Sequence, residues 1–248
     1  MIHFVGAGCG AADLITVRGA KLIKQADVLI YTGSLVNPAL LDDAGADCEI
    51  HNSAKLTLDE VVEVMRQAET AQKTTVRLHT GDPCLYGAIR EQMDRLDALG
   101  ISYDVCPGVS SFCGAAAALC AEYTLPEVSQ SVVITRMAGR TPVPERESIR
   151  SFAAHGTSMV IFLSAGMTEK LQAELLAGGY APDTPAAIVY KASWPEEKTL
   201  RCTVGTLHET AEKSGVGNHA LITVGGFLGN AYARSKLYDP YFTTAFRE

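Results

Sequence analysis

Ile2-His3-Phe4-Val5-Gly6-Ala7-Gly8-Cys9-Gly10-Ala11 is a short apolar run that ends in glycines just ahead of a helical pattern. The same grammar returns downstream. Strand-like runs at Val28–Tyr31, Thr75–Leu78 and Tyr103–Cys106, with a weaker one at Cys48–Ile50, alternate with segments that carry helix signals. Asn37-Pro38 offers an N-cap with proline at the first helical position, and Thr57-Leu58-Asp59-Glu60 is a capping box. Behind that box Leu58, Val61, Val62, Met65 and Ala68 keep helical spacing; Ile89, Met93, Leu96 and Leu99 share a face of another helix, which Gly100 stops. Strand–helix alternation of this kind predicts an α/β fold whose N-terminal sheet is mostly parallel and covered on both faces.

The pattern changes after the Ala-, Gly- and Cys-rich stretch Ser110 to Ala121, which is too short for a membrane span and reads as a buried core helix. A polar connector from Glu122 to Gln130 comes next. Beyond it, strand-like runs at Val132–Thr135, Met159–Leu163, Ala187–Tyr190, Leu200–Val204 and Ala220–Val224 are separated by longer loops. The two runs flanking Trp194-Pro195-Glu196-Glu197 sit close enough to pair antiparallel, so the second sheet is expected to be mixed. The expected division is an N-terminal domain of residues 1–120 and a C-terminal domain of residues 121–248.

The chain's 248 residues, 47% of them hydrophobic, are enough for two real cores and exclude a disordered chain. A net charge of −7 argues against a nucleic-acid partner. With no basic leader and no long apolar segment, the expectation is a cytoplasmic protein without a membrane partner. Seven scattered cysteines without a CxxC pair read as mostly buried thiols. A metal site from Cys84, His79 and Asp82 is conceivable, but one loop after a strand explains the three more simply, so no metal is expected.

Four constellations could carry chemistry. The glycines of the first loop allow close backbone approach to a nucleoside, and Gly6-x-Gly8-x-x-Ala11 satisfies a dinucleotide pattern. That pattern also asks for an acid at the end of the second strand, where this chain reads Tyr31-Thr32-Gly33-Ser34, so a nicotinamide cofactor is disfavoured. His79-Thr80-Gly81-Asp82-Pro83 and Cys106-Pro107-Gly108-Val109-Ser110-Ser111 are further strand-to-helix turns, placing Gly81, Asp82, Tyr86, Ser110 and Ser111 at the carboxyl edge of the sheet. Each has an ordinary structural reading as well, a Gly-Asp-Pro turn or a serine N-cap. Finally, Arg136, Arg140, Arg146 and Arg150 crowd one segment of an acidic chain, and arginine grips carboxylates bidentately.

Taken in order, these loops resemble the tetrapyrrole methylase superfamily and, within it, the precorrin-4 C11-methyltransferases of cobalamin biosynthesis. The carrying residues are Gly6-Ala7-Gly8 with Asp13-Leu14-Ile15-Thr16, Tyr31 to Val36, His79 to Pro83 with Tyr86-Gly87-Ala88-Ile89 and Glu91-Gln92-Met93, and Pro107 to Ser111. Arg140-Thr141-Pro142-Val143-Pro144-Glu145 and Val189-Tyr190-Lys191-Ala192-Ser193-Trp194-Pro195 point to the subgroup. One departure stands out: Gly8-Cys9-Gly10-Ala11-Ala12 occupies the place where the family usually reads Gly-Pro-Gly-Asp-Pro.

The resemblance implies two α/β domains with the active cleft between them, a homodimer, and S-adenosyl-L-methionine as methyl donor, leaving S-adenosyl-L-homocysteine. It implies cofactor contacts at Gly8, Cys9, Gly81, Asp82, Ser110, Ser111, Leu163 and Tyr190, and places a polycarboxylate precorrin beside Arg136, Met137 and Arg140. Asp82 and Tyr86 are the candidates for direct catalytic roles. A polycarboxylate substrate on an acidic protein requires a local cationic strip, for which Arg136 to Arg150 is the expected location.

Overall fold

The computed structural model describes residues 1–236 and 242–243. The chain divides into two compact units, Met1–Gly114 and Ala115–Glu248.

The first unit is a five-stranded, wholly parallel sheet of order β3-β2-β4-β1-β5, from β1 (Ile2–Gly6), β2 (Val28–Tyr31), β3 (Glu49–Asn52), β4 (Thr75–His79) and β5 (Tyr103–Cys106). Successive residues of a strand face opposite sides, so β1 and β2 each feed two cores. On one side Val5, Leu29, Val76 and Leu78 pack with Ile23 of α1 (Val17–Gln25). On the other, Phe4 and Ile30 pack with Val61 and Met65 of α2 (Leu58–Thr70) and Leu96 of α3 (Ile89–Ala98). The capping box of α2 is complete: Glu60 N–H donates to Thr57 Oγ1 at 3.3 Å, and Thr57 N–H donates to Glu60 Oε2 at 2.7 Å. Connections leave β1 and β4 in opposite directions along the sheet, so the switch of winding falls between these two neighbours. Ligands of open α/β sheets bind in the crevice at such a point.

The second unit holds a mixed sheet of order β6-β7-β10-β8-β9. β6 (Val132–Arg136), β7 (Ser158–Phe162) and β8 (Pro185–Tyr190) run in one direction; β10 (Ala220–Val224) and β9 (Lys198–Thr203) run against them. Met159, Ile161, Ile188 and Ile222 pack under α5 (Ile149–Ala153), α6 (Thr168–Ala177) and α7 (Leu207–Ser214). The β8–β9 pair is the antiparallel one expected around Trp194-Pro195.

Three expectations need correction. The seven cysteines are not mostly buried: Cys9 and Cys106 are, Cys48 and Cys202 are half-buried, and Cys84, Cys113 and Cys120 are exposed, since they lie on a turn and on or just after the small-residue helix. Asn37 does cap, accepting from Ala39 N–H at 3.0 Å, but it caps a single 3₁₀ turn, Pro38–Leu40, which is followed by a further turn rather than by a helix. The small-residue helix, α4 (Ser111–Leu119), is not buried throughout: Cys113 and Ala117 are exposed, while Gly114, Ala115 and Leu119 are covered. Small apolar side chains show little preference between the two sides of such a helix, so composition could not tell its faces apart.

Candidate active site

Three loops meet at the carboxyl edge of the first sheet, held by backbone contacts and by one carboxylate. Gly8 and Gly81 exchange hydrogen bonds, Gly8 N–H to Gly81 O at 3.2 Å and Gly81 N–H to Gly8 O at 2.8 Å. Both glycines have positive φ, +82° and +65°. A Cβ on Gly6 would stand 2.5 Å from Gly108 Cα, and one on Gly108 would stand 2.2 Å from Gly81 O. No side chain fits there, which explains glycine at the ends of β1, β4 and β5.

Asp82 ties two of these loops together. One carboxylate oxygen accepts from Cys84 N–H at 2.8 Å, closing its own turn, and the other accepts from Gly108 N–H at 2.9 Å. Partial burial favours the neutral acid, but the Cys84 thiol and amide and the Gly108 amide outweigh it, holding the carboxyl below its ordinary range. Ser110 is buried where α4 begins, its carbonyl accepting from Cys113 and Gly114, and Ser111 opens the helix. Cys9 is buried beside them. Gly8, Cys9, Gly81, Asp82, Ser110 and Ser111 are therefore one cluster.

Tyr86 stands on the turn that leads from this cluster into α3 and is 44% exposed. Its φ is +56° and that of Ala88 is +49°, conformations costly for residues with a Cβ. Gly87 between them lies so close to Pro83 O that a Cβ would come within 2.2 Å. Just below, His79 is 2% exposed, its Nε2 has no hydrogen-bond partner, and burial with the nearby Arg77 charge lowers its pKa to about 3. No group of three or more His, Cys, Asp or Glu is placed to hold a metal among the described residues.

In the second unit β6, β7 and β8 share a direction, so Arg136-Met137, Leu163-Ser164 and Tyr190-Lys191 fall on a single sheet edge. Four residues there that carry a Cβ take positive φ: Leu163 (+52°), Lys191 (+46°), Ser193 (+64°) and His219 (+50°). Strain of this kind gathers at ligand sites. Leu163 is also 66% exposed, a large apolar side chain held out of the core. Ser164, which no sequence pattern singled out, accepts from Met137 N–H at 2.9 Å and donates to Phe162 O at 2.6 Å, joining the ends of β6 and β7. Lys191 Nζ lies 5.7 Å and 5.4 Å from the ring centres of Tyr190 and Trp194, with Glu196 Oε1 at 3.5 Å.

The arginine strip is thinner than its count suggests. Arg136 turns back on its own loop, donating to the carbonyls of Met137 (3.2 Å), Thr141 (3.2 Å) and Pro142 (2.8 Å). Arg146 and Arg150 face Glu147 (3.6 Å) and Glu174 (2.9 Å). Of the four, Arg140 alone has no partner among the described residues, and it is exposed. The expected run of free guanidinium groups from Arg136 to Arg150 is thus reduced to Arg140: Arg146 and Arg150 are paired to carboxylates, and Arg136 keeps its charge but gives its donors to loop carbonyls.

Comparison with known proteins agrees with this two-sheet arrangement. A cobalt-precorrin-4 C(11)-methyltransferase of Methanocaldococcus jannaschii is 50% identical over 248 residues, covering 100% of this chain and 96% of that protein. The X-ray structure of a cobalamin-biosynthetic cobalt-precorrin-4 methyltransferase superposes with a TM-score of 0.90 at 42% identity, over 92% of this chain and 96% of its own. A uroporphyrin-III C-methyltransferase of Thermus thermophilus, solved with S-adenosylhomocysteine, matches with a TM-score of 0.78 at 26% identity, over 92% and 98%. The family model described as Tetrapyrrole (Corrin/Porphyrin) Methylases matches residues 1–208. Glycine-braced loops at the switch of a parallel sheet, a mixed second sheet and similarity along the whole chain all lead to one conclusion: the chain belongs to the tetrapyrrole methylase family.

Proposed function

We propose that this protein transfers a methyl group from S-adenosyl-L-methionine to C11 of precorrin-4 or cobalt-precorrin-4 in cobalamin biosynthesis. The observation that carries the reading is the 50% identity along the entire chain to a protein named for that reaction. The residues suit the cofactor. Glycine backbone at Gly81, where the nearest atom to an added Cβ stands at 3.5 Å, leaves room for a nucleoside to approach, and the start of α4 at Ser110-Ser111 presents amides favourable to a carboxylate. Leu163 and Tyr190 are the further candidates for cofactor contact that the family resemblance offers, and the cysteine that replaces the family's usual proline, Cys9, lines the first loop.

S-adenosyl-L-methionine supplies a methyl group already activated on a sulfonium, so displacement needs alignment and exclusion of water more than covalent help. Asp82 serves by locking the Gly81 and Gly108 loops, since both of its oxygens already accept amide hydrogens. Tyr86 is the side chain of that loop group that reaches outward towards the tetrapyrrole. Arg140 anchors a substrate carboxylate and Arg136 keeps the loop in shape, while Met137, whose side chain is buried in the second unit's core, has only its backbone to offer the substrate. The division of labour runs along domains 1–120 and 121–248, in a cytoplasmic homodimer.

The test is incubation with precorrin-4 and with its cobalt complex, mass spectrometry of the product, and NMR placement of the new carbon. One methyl at C11 is the expected product. Methylation at another carbon assigns the protein to a different precorrin step, and no methylation of either substrate sinks the reading.

A further inference from the structure

Beneath the Tyr86 turn lies a buried cation for which the methyl-transfer chemistry has no use. Arg77, in the middle of β4, is 6% exposed and has no carboxylate partner among the described residues. Its Nε donates to Gln92 Oε1 at 3.1 Å and its Nη1 donates to Ile30 O at 3.3 Å. Burial lowers its pKa to about 10, so it stays charged at neutral pH. Gln92, 5% exposed on α3, passes the contact on: its Nε2 donates to Ala88 O at 3.0 Å. The chain of contacts runs from β2 through β4 and α3 to the turn holding Tyr86, Gly87 and Ala88. That turn begins α3 with Ala88 in the left-handed region and no side-chain cap, so the start of the helix lacks its usual brace, while Asp82 holds the turn's first residues by accepting from Cys84 N–H and Leu85 N–H.

A buried guanidinium satisfied only by neutral acceptors is a costly way to fill a core, and two apolar residues of like volume would be expected to stabilise the sheet equally well. What they could not do is present a donor to Ala88 O with its orientation fixed from the other end. We propose that Arg77 and Gln92 are positioning residues that hold the strained 83–88 turn and thereby set how Tyr86 is presented to the substrate. The word substrate rests on the methyltransferase reading; the tie itself does not.

Gln92→Glu separates this role from a merely structural one. The carboxylate neutralises Arg77 and keeps or improves its bonding, yet it loses the N–H that reaches Ala88 O. Hydrogen exchange of the amides of residues 84–88 should quicken about tenfold, the size expected for one lost hydrogen bond. Amides in β1 and β2 should be unchanged. With precorrin-4, kcat should fall by a similar factor while the Kd of S-adenosylhomocysteine stays within about twofold. A stable Gln92→Glu protein with wild-type exchange at 84–88, or with exchange quickened throughout the first unit, overturns the proposal. If that variant does not fold, the double variant Arg77→Met/Gln92→Met decides. It removes both polar partners together and should show the same local quickening; unchanged exchange in it, or failure of both variants to fold, assigns the pair to the fold and not to the turn. A wild-type protein that methylates neither precorrin defeats the functional reading and leaves the exchange result to judge the tie on its own.

Discussion

Gly108 shows how little room single positions leave at this site. A Cβ there meets Gly81 O and Gly6 Cα, both backbone atoms that cannot step aside without moving a strand. Gly108→Ala is expected to cost more than about 2 kcal/mol, readable as a shift in urea midpoint at unchanged slope. His79 limits the protein through pH instead. Its folded pKa is depressed to about 3 from the ordinary 6.5, so between those values the unfolded chain binds a proton that the folded chain refuses. Stability from this residue is complete above about pH 6.5 and falls as the pH drops. Urea unfolding at pH 7 and pH 5 should show the wild type losing about 2 kcal/mol more than His79→Leu over that interval. Equal losses in the two proteins would mean the histidine is not buried neutral.

Among the elements, the 136–142 loop separates two arginines that look alike in the sequence. Arg140 is free and exposed, so Arg140→Ala should raise the KM for the tetrapyrrole about tenfold with kcat little changed, the size of one charge-assisted hydrogen bond. Arg136→Ala removes three ties to loop carbonyls and should lower kcat as well as kcat/KM. A steady-state comparison showing the reverse pattern would exchange their roles. Local sequence could not distinguish them, because nothing in a run of residues says whether a guanidinium turns outward or back on its own carbonyls. The strands were a different matter: Val28–Tyr31, Tyr103–Cys106 and Ala220–Val224 fall where their apolar runs place them, since each lies between clear turn signals. The loops at the first sheet's carboxyl edge were readable for the same reason, a glycine turn after each of β1, β4 and β5. Ser164, the Arg77–Gln92 chain and the exposed face of α4 were not, because each depends on which distant residue arrives beside it.

At the scale of the whole molecule, each unit has a sheet and a core of its own, and a net charge of −7 is carried mostly by exposed acids, many of them already paired to nearby Lys and Arg. Anything that binds the folded chain alone stabilises it by mass action. S-adenosylhomocysteine at a hundred times its Kd should add about 2.7 kcal/mol, raising Tm by about 5–10 °C for a chain of this length. NAD at the same concentration should leave Tm where it is; a rise with NAD and none with S-adenosylhomocysteine would reverse the cofactor assignment. The meeting of Gly6, Gly81 and Gly108 bears on the order in which the protein comes into being. These three residues are far apart in sequence, so their contact cannot form until β1, β4 and β5 lie side by side, and contacts between distant positions are the slow ones to close. A nascent first unit therefore brings its glycine loops together only when its sheet is complete, and during synthesis a ribosome must release residues beyond Gly108 before the proposed methyl-donor site can form.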